Sequence, residues 1–390
     1  MDKGTIIYIG GFELPDKNAA AHRVIANGKL LRDIGYNVHF MGISNERIYS
    51  NKTFYGFNSS ALKYPNSIIS WFEYITTFKD YIKLIESYSN VHSIICYNLP
   101  SGSLYRLLKY CEKKEIKIFS DCTEWYIAPK TGNFLARTVK SWDIKLRMNN
   151  LHIKLDGVIA ISSYLDTYYS NQGVQTLQIP PLIDKEDSKW PTSILQKNNT
   201  TVNLIYSGSP FALTKGSEVK DRLDLIIDGL YLISKTFTDF KLTILGIDLR
   251  GFLLVFPDYK DKLLSLGELI DWKGRLPHNE ALDLLKKSDY SIFLRDTNLV
   301  TTAGFPTKFV EALSCGIPVL TNRNSNLADY LIEGKNGFWI ETNSEETIYK
   351  SLLEVLKINR EDLNDLKKDL LKSKTFDYKN YLMDFKEFLR

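Results

Sequence analysis

At 390 residues, with 44% hydrophobic and 25% charged residues, the chain is too long for one ordinary core and has the composition of a soluble protein with two domains. A net charge of +4 excludes a nucleic-acid binder held by bulk charge, and no apolar run approaches the roughly 20 residues of a spanning helix. The four cysteines, Cys96, Cys111, Cys122 and Cys315, show neither zinc nor disulfide spacing, which fits a reducing cytoplasm.

The chain opens on an apolar, β-branched strand, TIIYIG, with no basic leader or cleavage site before it, so a cytoplasmic location is expected. The loop GFELPDK follows, then a helical period over NAAAHRVIANGKLLRDIG that ends at Gly35, then the strand YNVHFMGIS. This is a βαβ unit, which implies a parallel sheet and a right-handed crossover. Gly10 and Gly11 end the first strand, where the lack of a Cβ permits close backbone approach to a ligand; an ordinary βα turn is the other reading. Arg23 on the following helix faces either a ligand site or the surface.

Further strands are expected at SIICYN, IKIFSD and GVIAISS, alternating with helices. In IKIFSDCTEWY, Asp121 ends a strand, and Glu124 and Trp125 lie in the loop beyond it. Both carboxylates are candidate catalytic groups, with helix capping or a domain-edge ion pair as the alternative. The stretch NFLARTVKSWDIKLRMNNLHIK carries Leu135, Val139, Trp142 and Leu146 at helical spacing, ringed by Arg137, Lys140, Lys145, Arg147 and Lys154. It reads either as an interfacial helix or as a helix packed on the first sheet with a solvated basic rim.

The segment IPPLIDKEDSKWPTSILQKNNT reads as a linker. A second βα series follows: VNLIYSG, the helix DRLDLIIDGLYLISK, FKLTILG, IDWKG, the helix HNEALDLLKKS, YSIFLR, and later GFWIE. The expected fold class is therefore α/β with two Rossmann-like doubly wound domains, over residues 1–185 and 200–372, and a separate C-terminal helix over 373–390. Open α/β sheets bind ligands beyond the C-terminal strand ends, so two such domains imply a cleft.

In AGFPTKFVEALSCGIPVL, Pro306 and Thr307 begin a helix whose first N–H groups and dipole suit an anion. Lys308 adds a positive charge on that turn, and Glu311 shares its face three residues later. Together they suit one anion and one polyol; a surface Lys–Glu pair is the plainer reading. YSGSPFALTKGSEVKDRLDLII also runs strand, glycine loop, helix, with Gly208 and Ser209 in the loop and Lys220 just before an expected Asp221 N-cap. Lys220 is a second anion contact or a solvated loop charge. Two anion-friendly turns suit a diphosphate. Neither GxxxxGK[ST] nor GxGxxG is present, and no D-x-D triplet occurs, so no metal is expected.

Four segments, YSGSP…KDRLDLIIDGL, IDWKGRLPHNEALDLLKKSDYSIFL, GFPTKFVEALSCGIPVLTN and LIEGKNGFWI, together with GG near the start, resemble the retaining, nucleotide-sugar-dependent glycosyltransferases of the GT-B architecture, the large family-four group. The resemblance implies two Rossmann-like domains facing a cleft, with the C-terminal helix crossing back to the first. It implies transfer of a sugar from a UDP- or GDP-linked donor to a glycan acceptor, lipid-linked in many relatives, in bacterial surface polysaccharide or capsule synthesis. It implies no cofactor beyond the nucleotide sugar, no nucleic-acid partner, and contact with the inner face of the cell membrane.

Residue by residue, Glu311 matches the second signature glutamate, which binds the ribose hydroxyls, whereas the first falls at Ala303. The family's diphosphate-binding arginine and lysine fall at Ser209 and Lys220, with Lys220 assisting departure of the diphosphate. Lys308 or Arg295 then replaces the arginine's charge. Trp272 to Arg275 matches the segment that holds the base, and Gly10 and Gly11 the loop facing the donor phosphates. Relatives carry a histidine near Asp121 and Glu124, so one of these carboxylates stands in for it. Two other readings share the architecture: a sugar-nucleotide 2-epimerase and a non-catalytic donor-binding subunit.

Overall fold

The computed structural model describes residues 3–46, 48–127, 134–195, 200–211 and 219–390. Its contacts divide the chain into two units, one of residues 1–184, 303–305 and 376–390, the other of 185–302 and 306–375.

The first unit is built on eight strands: β1 (Thr5–Gly10), β2 (Asn37–Ser44), β3 (Tyr49–Phe54), β4 (Phe57–Lys63), β5 (Val91–Tyr97), β6 (Lys117–Cys122), β7 (Gly157–Ala160) and β8 (Thr176–Gln178). Their order is β3-β4-β2-β1-β5-β6-β7-β8, parallel throughout except for β3 against β4. All six residues of β1 are buried, because the sheet is covered on both faces. Ile6 and Tyr8 join a core with Val24 and Leu30 of the Ala19–Asp33 helix, while Ile7 and Ile9 join Leu104, Leu107 and Leu108 of the Ser101–Lys114 helix. Asn18 caps the first helix by accepting from Ala21 N at 2.9 Å. Phe385 and Phe388, near the chain's end, belong to the first of these cores, as do Ile179 and Leu182 from the proline-rich stretch read as linker. Residues 196–199 of that stretch lie outside the described residues.

The β3–β4 hairpin has no counterpart in the sequence reading. Tyr55 (φ 53°) and Gly56 (φ 79°) form its two-residue connection, and left-handed backbone at both positions matches the twist of the paired strands.

The second unit holds β9 (Val202–Ser207), β10 (Phe240–Leu245), β11 (Ile270–Gly274), β12 (Tyr290–Ile292), β13 (Val319–Thr321) and β14 (Gly337–Trp339), in the order β11-β10-β9-β12-β13-β14, all parallel. The chain steps outward from β9 to β11, then returns to β12 on the other side. Strand order therefore reverses between β9 and β12, and their C-terminal ends are where this kind of sheet receives a ligand. Among the described residues, no helix is long and apolar enough to cross a membrane.

Candidate active site

Gly208 follows β9 at the reversal point, with φ +150°. A Cβ built there would lie 2.6 Å from Lys308 Nζ, so glycine is what lets the ammonium lie against the strand end. Lys308 reaches this point from the first turn of the Thr307–Ser314 helix, which starts after Pro306 without a side-chain cap. Its first amides are left for other acceptors.

The lysine is not a mobile surface charge. Its ammonium donates to Asp221 Oδ2 and lies 4.5 Å from the Tyr206 ring centre and 5.4 Å from that of Phe293. Tyr206, on β9, donates its hydroxyl to the same Asp221 oxygen at 2.8 Å. Arg295 Nε, just beyond β12, donates to Asp221 Oδ1 at 2.8 Å. The arginine's backbone is fixed by Asn322, whose side chain accepts from Arg295 N at 2.9 Å and donates to Arg295 O at 2.7 Å. Two cations thus share one carboxylate, leaving one positive charge in excess. Burial would raise the Asp221 pKa, but Lys308 and Arg295 override it and hold the carboxyl below its usual range. Burial lowers the Lys308 pKa, and Asp221 opposes that shift.

This corrects one sequence expectation. The helix following Lys220 begins at Leu223 with Arg222 at the cap position, and Asp221 turns inward rather than capping it. Lys220 is exposed, as are Ser209 and Arg275, while Thr307 is half-buried at the helix start. Residues 212–218 of the glycine loop lie outside the described residues. Trp272 lies on β11, its ring 5.4 Å from Phe252, and Gly274 and Arg275 follow it at the same sheet end.

Glu311 lies one turn along the Thr307–Ser314 helix and meets His278, the first residue of the His278–Lys286 helix, at 3.1 Å. Its carboxylate is about a quarter exposed, so it remains available to a polyol. Gly208, Arg295, Lys308 and Asp221 therefore form one cluster, and Glu311 with His278 forms a second on the same helix. Sequence reasoning missed Asp221, Tyr206 and His278 as members. A buried-strand tyrosine beside an aspartate that precedes an apolar helix was the available signal.

In the first unit, Gly10 and Gly11 differ. A Cβ on Gly10 would come 2.0 Å from the Tyr97 carbonyl oxygen of β5, so this glycine answers to strand packing; Gly11 faces open space. Asp121, a candidate catalytic carboxylate with an ion pair as the alternative reading, lies in a buried ion pair. It is 1% exposed, and Arg23 Nε donates to its two oxygens at 2.9 and 3.0 Å. Tyr8 donates its hydroxyl to the same carboxylate, and Arg23 Nη1 also donates to Ile179 O at 3.0 Å. A carboxylate with both oxygens engaged inside the core is an anchor, and Arg23 is its buried partner rather than a ligand or surface group. Glu124 is exposed in the loop beyond β6, beside Trp125, whose ring meets those of Tyr164 and Tyr168 edge-on. Ala303 is fully buried. Among the described residues, no group of three or more His, Cys, Asp or Glu could hold a metal ion.

The basic amphipathic stretch forms a helix, Phe134–Leu146. Ile144 is buried, and Asp143 accepts from Ser101 N and Ser101 Oγ, both at 2.7 Å, tying the helix to its neighbour. Phe134 and Trp142 are 75% and 72% exposed, and Leu146 is also exposed. Arg147, counted in the basic rim by sequence, is buried instead, stacked 4.7 Å over the Tyr126 ring. The side chain of Leu135 lies outside the described residues.

Residues 196–370 match the family model described as glycosyl transferases group 1. An uncharacterized glycosyltransferase of Methanocaldococcus jannaschii is 27% identical over 128 residues, covering 30% of this chain and 36% of that protein, so the chain matches about a third of that relative's length. A sucrose-phosphate synthase from Thermosynechococcus elongatus superposes with a TM-score of 0.69 at 12% identity, covering 98% of both chains. Anabaena HepE in complex with UDP and glucose gives 0.63 at 14% identity over 99% of both, and the lipopolysaccharide outer core galactosyltransferase WaaB gives 0.61 at 14% over 98% of this chain and 99% of its own. Residues 196–370, a little under half of the chain, thus match the glycosyl transferases group 1 family model, and the chain has the fold of the GT-B glycosyltransferases.

Proposed function

We propose that the chain is a retaining glycosyltransferase that moves a sugar from a UDP- or GDP-linked donor to a glycan acceptor in bacterial surface polysaccharide synthesis. The observation that carries the donor half is the cluster of Lys308 and Arg295 beside Gly208 at the strand-order reversal, with one positive charge in excess. A nucleoside diphosphate sugar is the ligand class that needs cations and helix amides for two phosphates, and a carboxylate for a ribose diol nearby. Glu311, oriented by His278, takes the ribose. Lys220 and the Thr307 amide take the phosphates, and the backbone from Trp272 to Arg275 takes the base. The structure of HepE with UDP and glucose supports this donor class.

In the reaction, the bond from sugar C1 to the diphosphate oxygen breaks and one from C1 to an acceptor oxygen forms on the same face. The acceptor proton passes to the leaving phosphate, so no protein base is required. Cations fixed before the reaction stabilise the charge that develops on that leaving group. Glu124, exposed near Trp125, is the proposed polar contact on the acceptor side.

Thermal shift across UDP, GDP, CDP, ADP and dTDP tests the donor half. Saturation at a hundred times the dissociation constant adds about 2.7 kcal/mol to the folded state. A shift with UDP or GDP is the expected result; no shift with any of the five removes the reading. Incubating the recognised nucleotide sugar alone, then with glycan acceptors, separates transfer from 2-epimerisation, because an epimerase converts the donor without an acceptor. Alanine at position 303 is the observation that favours a non-catalytic donor-binding subunit as a second reading. Donor binding without turnover, rescued by a partner protein, would establish it.

A lipid-linked acceptor and contact with a membrane surface complete the proposal. Exposed Phe134 and Trp142, on a helix that also carries exposed Lys140 and Lys145, support it.

A further inference from the structure

Asp221 is 2% exposed and sits where four segments converge: β9, the segment before the Leu223–Ile233 helix, the end of β12 and the first turn of the Thr307–Ser314 helix. A lone buried carboxylate in an anion-binding region would oppose the ligand. This one is held between a guanidinium and an ammonium, with a phenol donating to the same oxygen as the ammonium. We propose that Asp221 is the positioning residue of the donor diphosphate site: it holds Lys308 and Arg295 as a fixed pair of cations beside Gly208, ready for the phosphates. The proposal rests on reading this unit as a nucleotide-sugar site.

The geometry supplies the reason. Lysine is a flexible point charge, and a side chain fixed in advance loses less freedom when its ligand arrives. Lys308 is pinned by its bond to Asp221 and by the Tyr206 and Phe293 rings, and its side chain keeps 13% exposure. Arg295 uses Nε on Asp221, which leaves its other nitrogens for further acceptors. The titratable and charged groups facing Lys308 are Asp221, Arg295, Lys220 and Tyr206. Arg295 and Lys220 act with burial to favour the neutral amine, and Asp221 is the group that opposes them. Removing only its charge therefore leaves the lysine in the pocket while making its proton easier to lose.

The test compares the full-length protein with Asp221→Asn, Lys308→Arg and the double variant. Titration of the ε-CH₂ signal in isotope-labelled, ligand-free protein, assigned through Lys308→Arg, follows the ammonium directly. The expected result is a Lys308 titration at least about one pH unit lower in Asp221→Asn than in the wild type. Calorimetry with UDP and GDP at pH 7 and pH 9 then reads the site. Asp221→Asn should weaken binding at pH 9 by about tenfold or more, and less at pH 7, while Lys308→Arg in the same background should remove the pH dependence because arginine stays charged. An unchanged Lys308 titration, or a pH dependence that survives in the double variant, overturns the proposal. If Asp221→Asn does not fold, the wild-type spectrum decides: two distinct, fixed ε-proton shifts are expected, and a single averaged signal overturns it. Absence of nucleotide binding by the wild type defeats the functional reading, whereas the titration bears on Asp221 independently.

Discussion

Lys308 and Glu311 lie three residues apart on one turn, and spacing alone allows them to pair. Each instead finds a partner far away in sequence, Asp221 for the lysine and His278 for the glutamate. Sequence shows which residue types share a helix face, but not which buried charge from another segment reaches that face. The short-range part of the site was therefore legible, namely Thr307, Lys308 and Glu311 at a helix start, and the long-range part was not. If Glu311 binds the ribose diol, Glu311→Ala should weaken the nucleoside diphosphate by about tenfold, the loss of roughly 1.5 kcal/mol expected for hydrogen bonds to a charged group. Calorimetry measures it, and an unchanged dissociation constant would remove Glu311 from the site. Asp121 makes the opposite case. Asp121→Ala leaves the Arg23 guanidinium buried without its carboxylate, so the folded state should lose about 3–5 kcal/mol in urea unfolding. A variant of native stability that has lost only turnover would restore the catalytic reading.

Among the elements, strands and helices with strong periodicity announced themselves. β1, β2, β5 and β6 read as apolar runs because both faces of the parallel sheet are covered, and the Ala19–Asp33 helix carried its stop at Gly35. The β3–β4 hairpin gave no such signal. β3 is largely exposed, its sequence YSNKTF is mostly polar, and its turn is Tyr-Gly rather than Asn-Gly. The Phe134–Leu146 helix shows why pattern fixes a face without fixing its environment. Its residues turn Ile144 inward and Trp142 outward, so the tryptophan read from sequence as part of an apolar stripe is the one that meets solvent. Trp142→Ala should change folding stability by no more than about 0.5 kcal/mol, as expected of a surface position. It should also reduce co-sedimentation with vesicles containing anionic lipid. Undiminished vesicle binding, or no binding by the wild type, would argue against a membrane role for this helix.

At the scale of the whole molecule, the alternation of strands and helices made the α/β class legible, but the strand order was not in the sequence. That order sets β9 beside β12, so Arg295, just beyond β12, meets Asp221 although 74 residues separate them. The fold also buries two histidines, and these set an acid limit on its stability. His39 on β2 bonds to the Tyr88 and Ser60 hydroxyls at 2.7 and 2.9 Å, and burial lowers its pKa to about 4. His152 bonds to the Ser120 and Tyr169 hydroxyls at 3.1 and 2.8 Å, and burial, with Arg147 nearby, lowers its pKa to about 3. Both are neutral in the folded chain at pH 5, whereas in the unfolded chain they are mostly protonated below their ordinary value of about 6.5. The unfolded state therefore binds more protons, and stability falls as pH drops through that window. Together the two should remove on the order of 4 kcal/mol between pH 7 and pH 5. Substituting both histidines with glutamine, which keeps a polar group facing each hydroxyl but cannot take up a proton in this range, should flatten the dependence of urea-unfolding stability on pH. An equally steep loss in the double variant would assign the acid sensitivity to the carboxylates instead.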